Sequence, residues 1–164
     1  MSVLRLSLLA LFIALSVIGA AIKVPAVIGS VALDAFPALL AAAFFGAGPG
    51  AIVGGIGHMI SALIGGMSLG PLHFVIAIEM ALLVFLFAVL FNGGKKILAS
   101  TIFIIGNAIV APLPFVFLFD FTFYIALVPS ILIGSFLNTA IAYIAIPRLN
   151  TIFKGVYYKG GVKG

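Results

Sequence analysis

The sequence predicts an all-α integral membrane protein with six transmembrane helices. Hydrophobic residues fill 65% of its 164 positions, and charged residues fill only 7%. A soluble domain of this size needs far more polar surface than that, and the length suffices for about six helices of about 20 residues each. A single membrane domain should therefore occupy residues 1–164, with no room for a separate soluble domain.

Glycine, proline and charged residues interrupt the apolar sequence and define the expected spans. The first span is Leu6–Ile22, which could also be a signal peptide with small residues at Gly19–Ala21 as its cleavage site. The second span, Ala35–Gly46, is short for a full crossing. The third ends near Ile64, and the others are expected at 72–91, 97–119 and 121–146, followed by a basic cytoplasmic tail at about 148–164.

The third span combines glycines at helical spacing with one histidine. Gly48-Pro49-Gly50 is the expected turn into this helix. Because small residues let helices approach closely inside a bilayer, Gly50, Gly54 and Gly57 predict a face for helix packing. His58 is either a structural hydrogen-bonding group or a functional one, since an ionisable side chain inside a membrane is costly.

Lysine and arginine positions predict the orientation of the bundle. With six spans and both termini in the cytoplasm, seven of the eight positive residues lie inside and only Lys23 lies outside. The excess of positive charge in cytoplasmic segments therefore favours this orientation over its inverse.

Pro112 and Pro114 should kink or unwind the fifth span near its outer end.

Polar side chains inside the apolar spans are the candidates for a binding site. Glu79 is the strongest of them, because a single carboxylate in an apolar helix requires a partner. In the expected orientation the acids and histidines lie in the outer half or the middle of the membrane. They indicate a pocket that opens outward and is closed by a lid loop at about residues 23–34.

Each candidate also has a structural interpretation. Asp34 could cap the second helix, and His73 could satisfy free backbone groups at the start of the fourth. Asn107 and Asn138 could join helices to one another. Asp120 could be a solvated loop residue, and Lys23 could extend its amino group to the outer interface.

The sequence favours binding over catalysis. Cysteine is absent, no Gly-rich nucleotide loop with its lysine is present, and no Ser–His–acid arrangement surrounds Ser61. The histidines and Glu79 do not share the spacing of metal ligands on one helix face. We therefore expect no catalytic residues, no metal and no cofactor, and the net charge of +5 reflects topology rather than nucleic-acid binding.

The segment ALSVIGAAIKVPAVIGSVALDAFPALLAAAFFGAGPGAIVGGIGHMISALIGG, residues 14–66, resembles the substrate-binding S component of energy-coupling factor (ECF) vitamin transporters. The matching features are the Ala10-xxx-Ala14 pair, the loop ending in Asp34-x-x-Pro37, and the Gly-Pro turn into the third helix. Total length, the six apolar spans and the basic tail also match, so the resemblance covers essentially the whole chain.

The resemblance implies a non-catalytic subunit that captures a vitamin or vitamin precursor and docks through Ala10 and Ala14 onto a transmembrane coupling subunit. Two cytoplasmic ATPases would drive that partner in the bacterial plasma membrane, with membrane lipid around the bundle. The nickel/cobalt branch relies on a histidine where this chain has Ser2. The expected ligand contacts are Asp34, His58, His73, Glu79 and Asn107.

The ligand itself stays open at this stage. The segments 28–37 and 57–79 look most like the branch that takes up α-ribazole, a benzimidazole riboside and cobalamin precursor, and thiamin-related compounds or other small vitamins are alternatives. A stand-alone secondary transporter, in which Glu79 and His58 relay protons or cations, is a different class of function. A structural membrane subunit, whose polar residues only join helices, is another.

Overall fold

A computed structural model describes residues 3–26 and 30–159 of the chain. Helix α1 is followed by a β-hairpin, the short helix α2, the long helices α3 and α4, an interrupted helical run, and a final long helix. The elements are α1 Val3–Ala21, β1 Lys23–Pro25, β2 Ser30–Ala32, α2 Phe36–Phe45, α3 Ala47–Ile64, α4 Leu72–Asn92, α5 Lys96–Ile105, a π-helix Gly106–Val110, α6 Pro114–Leu118 and α7 Phe121–Lys159.

Five helical segments are long and apolar enough to cross a membrane, which confirms the all-α membrane fold for the described residues. The second predicted span is different, because α2 has only 10 residues. At 1.5 Å per residue it is about 15 Å long, half the thickness of the hydrocarbon core. Its residues Pro37–Ala42 are all buried, so α2 lies inside the bundle and is not a complete span.

Glycines on α3 let three neighbouring helices pack against it. A Cβ atom on Gly50 would lie 2.6 Å from the Cα of Ala42 on α2, and one on Gly57 would lie 2.9 Å from the Cβ of Ser16 on α1. The Gly54 position faces α4. The predicted packing face is therefore present, and it serves three different helices.

The predicted turn before α3 was misplaced by a few residues. The turn is made by Gly46, whose φ of 94° lies in the left-handed region that favours glycine. Pro49 instead lies in the first turn of α3, where a helix needs no backbone donor from it.

The predicted lid loop contains two short antiparallel strands. Lys23 pairs with Ala32 and Val24 with Val31, while residues 27–29 lie outside the described part of the chain. The hairpin is tied to α1, because the Leu33 N–H donates to the Gly19 carbonyl over 3.1 Å. A Cβ on Gly134 would lie only 3.0 Å from the Val31 side chain, so β2 also packs closely on α7.

Asn138 on α7 joins the hairpin and α2. Its Oδ1 accepts the backbone N–H groups of Ala35 and Phe36 at 3.0 and 2.8 Å. Its Nδ2 donates to the carbonyls of Ala32 and Gly134, both at 2.9 Å. The start of α2 is thus capped by an amide from another helix, which is the role that the sequence had offered to Asp34.

The fifth segment is irregular, as its prolines predicted. Regular α-helix ends at Ile105, and a π-helix covers Gly106–Val110 before the proline-containing turn. Proline cannot donate a backbone hydrogen bond and clashes with the preceding turn, so the regular pattern cannot continue through Pro112 and Pro114.

The last helix extends well beyond the predicted span end at Ile146 and into the predicted tail. It continues through Pro147 to Lys159. Arg148 Nη1 donates to the Ile144 carbonyl at 2.9 Å, next to the turn that the proline disrupts. Phe153 then stacks on Phe44 with ring centroids 4.9 Å apart, and this contact holds the extension against the bundle. Residues 160–164 of the predicted tail lie outside the described residues.

We expect Asn138→Ala to lower the free energy of unfolding by about 2 to 4 kcal/mol, because it leaves buried backbone groups of the hairpin and α2 without partners. Thermal unfolding of the detergent-solubilised protein measures the change. Asn150→Ala, an asparagine on the same helix, is the matched control. Equal small shifts in the two variants would contradict the capping role of Asn138.

Candidate functional site

A cavity of about 370 Å³ lies between the hairpin and helices α3, α4, α7 and the irregular fifth segment. This volume falls in the range of pockets that enclose small organic ligands. The wall is mainly apolar, with a few polar groups that converge on the space. The polar lining residues are Asp34, His58, His73, Glu79, Asn107, Ser135 and Asn138.

All five residues predicted to contact a ligand lie on the wall of this cavity. Asp34 comes from the loop between β2 and α2, His58 from α3, and His73 and Glu79 from α4. Asn107 belongs to the π-helix. Five separated positions in the sequence therefore meet around one space, although their roles are not assigned by that placement alone.

Asp34, His58 and His73 form a line of polar contacts. His58 Nε2 lies 3.3 Å from His73 Nδ1, and His58 Nδ1 lies 4.0 Å from Asp34 Oδ2. The first contact is a hydrogen bond, whereas the second is an electrostatic contact that is too long for one. At the other end the Leu69 N–H donates to His73 Nε2 at 3.4 Å. The line connects the loop before α2 to the turn between α3 and α4.

The Leu69 contact fixes the arrangement of protons along this line. A backbone N–H can only donate, so His73 Nε2 is the acceptor and the neutral ring carries its proton on Nδ1. That proton is then donated to His58 Nε2, and His58 carries its own proton on Nδ1, facing Asp34. His73 thus satisfies a backbone group in the turn that precedes α4, close to the role that one sequence interpretation gave it, and it also lies on the cavity wall.

Glu79 is the polar residue of the cavity with an unsatisfied buried atom. Its Oε2 is buried and has no hydrogen-bond partner among the described residues. Leaving a buried polar atom unpaired costs about 1–3 kcal/mol, and more for a charged group. A ligand that donates to Glu79 would recover that cost.

Ser135 is a cavity residue that the sequence reasoning did not single out. Asn107 Nδ2 donates to Ser135 Oγ at 2.8 Å, which joins the π-helix to α7. Serine is common in apolar helices, so only its position three residues before Asn138 marked this stretch of α7 as polar. Phe115 is the one phenylalanine on the wall, within the part of the chain that the structure describes.

Burial raises the pKa of the Asp34 carboxyl group above its ordinary value. Loss of hydration on burial is the largest influence on this pKa. The backbone N–H groups of Asp34 and Ala35 and the charge of Lys23 on β1 act in the opposite direction without cancelling it.

The predicted docking residues lie away from the cavity. Ala10 and Ala14 are both exposed on α1, while Leu9, Phe12 and Ser16 on the same helix face the bundle. The small-residue pair therefore lies exposed on the outer surface of the bundle. Across residues 3–26 and 30–159, no three His, Asp or Glu side chains are grouped as ligands for a metal ion.

The family model described as "ECF transporter, substrate-specific component" matches residues 4–157, nearly the whole chain. No curated protein and no solved structure matches the chain.

The raised pKa of Asp34 predicts a pH-dependent contribution to stability. The folded state binds the Asp34 proton more tightly than the unfolded state does, so ionisation of Asp34 lowers the unfolding free energy as pH rises above about 4. Asp34→Asn should remove this contribution, and its stability relative to the wild type should increase with pH. Thermal unfolding between pH 4 and pH 8 measures it.

Asp120→Asn makes the same chemical change at an exposed acid whose Oδ1 accepts the Phe123 N–H at the start of α7. An asparagine can make the same cap, so this variant is the matched control. A constant difference between Asp34→Asn and the wild type across the pH range would contradict the assignment.

Proposed function

This chain belongs to the family of ECF transporter substrate-specific components, and from that premise we propose that it captures a vitamin or vitamin precursor for an ATP-driven importer. It is a substrate-binding subunit and a multi-pass protein of the cell membrane. Its family associates with ECF membrane and ATPase modules, so the energy for transport comes from partner subunits rather than from this chain.

The observation that carries the proposal is the convergence of Asp34, His58, His73, Glu79 and Asn107 on one cavity. An apolar cavity with a few converging polar groups is the usual form of a small-molecule site. The unpaired Oε2 of Glu79 adds to this argument, because a buried group without a partner is costly unless a ligand completes it.

The best candidate ligand is α-ribazole, with thiamin-related compounds and other small vitamins as alternatives. The hydroxyl groups of a ribose would donate to Glu79 and Asp34, and an aromatic ring would pack against Phe115 and the aliphatic wall. The β2 strand and Asp34 line the cavity, so the hairpin at about residues 23–34 serves as its lid.

Transport would follow when the loaded subunit docks onto the transmembrane coupling subunit. Ala10 and Ala14 provide an exposed strip of small side chains one helical turn apart, which lets a partner helix approach closely.

The line from Asp34 through His58 to His73 would also suit the proton relay of a stand-alone secondary transporter. Family membership favours substrate binding. The two functions are distinguished by whether uptake requires the coupling module, since a stand-alone transporter would not need it.

Ligand binding is tested by thermal stabilisation of the purified, detergent-solubilised protein with α-ribazole, thiamin, riboflavin, biotin and cobalamin. A ligand that binds only the folded state at a hundredfold excess over its Kd should stabilise it by about 2.7 kcal/mol. For the ligand found, Glu79→Gln should weaken binding at least tenfold, because a charged acceptor is lost, while the protein stays folded.

The control for Glu79→Gln is Asp120→Asn, which makes the same acid-to-amide change outside the cavity wall. It should retain wild-type affinity. Unchanged affinity in Glu79→Gln would remove this residue from the site.

The double variant Ala10→Trp/Ala14→Trp should abolish docking and uptake, because two indole rings prevent close approach of a partner helix. Ligand binding should be unaffected, since neither residue lines the cavity. Copurification with the coupling module and uptake by cells are the measurements. Ile78→Trp/Leu82→Trp, an exposed pair at the same spacing on α4, is the matched control. Normal uptake by the α1 variant would show that another face docks.

A further inference from the structure

We propose that the cavity selects ligands that donate hydrogen bonds, either organic cations or neutral solutes rich in hydroxyl or amino groups, and rejects carboxylates. This inference rests on the proposed function, because it assumes that the cavity is the substrate site. It follows from an inventory of the hydrogen-bond donors and acceptors that the wall leaves available to a ligand.

The histidine donors are directed at protein atoms. His73 Nε2 accepts from Leu69, so the Nδ1 proton of His73 is used on His58 Nε2. The remaining imidazole proton, on His58 Nδ1, faces the Asp34 carboxylate across 4.0 Å. Neither neutral ring has a donor left for an anionic ligand.

The amides contribute few donors. Both oxygen and nitrogen of Asn138 are occupied by backbone groups of the hairpin, α2 and α7, so this residue has no free N–H for a ligand. Asn107 uses one of its two N–H groups on Ser135 Oγ. The donors that remain are the second N–H of Asn107 and the hydroxyl proton of Ser135.

The acceptors are more numerous. The wall holds two carboxyl groups, Asp34 and Glu79, and Oε2 of Glu79 is buried without a hydrogen-bond partner in the described part of the chain. No lysine or arginine is among the described residues that line the cavity. Lys23 acts electrostatically on Asp34 from β1 but does not line the space.

This inventory determines what can bind. A carboxylate entering the cavity would lose its hydration, find only two neutral donors among the described lining side chains, and face a like charge on each carboxyl group that is ionised. A cation or a hydroxyl donor would pair with Glu79 or Asp34, and its apolar body would contact Ile76, Met80 and Phe115. Charge complementarity in a partly dehydrated site therefore sets the specificity.

The test uses matched pairs of ligands with the full-length protein in detergent. Nicotinamide is compared with nicotinate and pyridoxamine with 4-pyridoxate, alongside thiamin, α-ribazole, riboflavin and biotin. We expect the tightest ligand to be non-anionic, and its carboxylate counterpart to bind at least tenfold more weakly. Tighter binding of biotin, nicotinate or 4-pyridoxate would overturn the inference and leave the proposed function standing. Binding of none of these compounds would overturn the proposed function together with it.

A variant separates charge selection from a structural role. Glu79→Gln should weaken binding of the best non-anionic ligand at least tenfold and narrow its advantage over the carboxylate counterpart, because one of the repelling charges is gone. A purely structural role for Glu79 would weaken both ligands by the same factor, and that result would overturn the assignment. Asp120→Asn, the acid-to-amide control, should leave both affinities unchanged.

Discussion

The hydrogen bonds of Asn138 hold together the part of the fold on which the candidate site depends. A short buried helix begins at Phe36, and its first N–H groups would be unsatisfied without an acceptor from α7. The same amide donates to the carbonyl of Ala32, so the hairpin cannot separate from α7 without breaking it. Asn138 provides the cap of α2, and Asp34 lines the cavity beside it.

Two kinds of packing surround this connection. Helices α1 to α4 approach closely because glycines on α3 leave room for Ala42 and Ser16 of the neighbouring helices. The other side of the cavity is irregular, since a π-helix and Pro112 interrupt the fifth segment. Such interruptions are frequent at functional sites, because they turn side chains and backbone groups away from the regular hydrogen-bond pattern of the α-helix. Close packing on one side and interruption on the other leave a space between them.

The polar groups of the cavity fall into two sets. Some form hydrogen bonds with other protein atoms, and others remain available to a ligand. Asn138 and the two histidines bond mainly to protein atoms, and this fixes their orientation. Glu79 Oε2 has no hydrogen-bond partner within residues 3–26 and 30–159. An unpaired buried carboxylate oxygen lowers stability, so its retention is more easily explained by recognition than by folding. The same division gives the cavity an excess of acceptors over donors.

The sequence by itself determined the class of protein, the approximate positions of the long helices, the packing face on α3 and most of the polar residues that line the cavity. These follow from composition and from local rules, since apolar length, glycine spacing and isolated charges can be read without knowing the fold. Only the tertiary structure decided that α2 is half a span, that α7 continues past Pro147, that Asn138 caps α2, and that His58 meets His73. Each of these depends on a contact between residues far apart in the chain, such as Asn138 with Ala35 or Phe153 with Phe44. A local sequence pattern does not reveal such contacts, because packing against distant elements overrides the local conformational preferences of the chain.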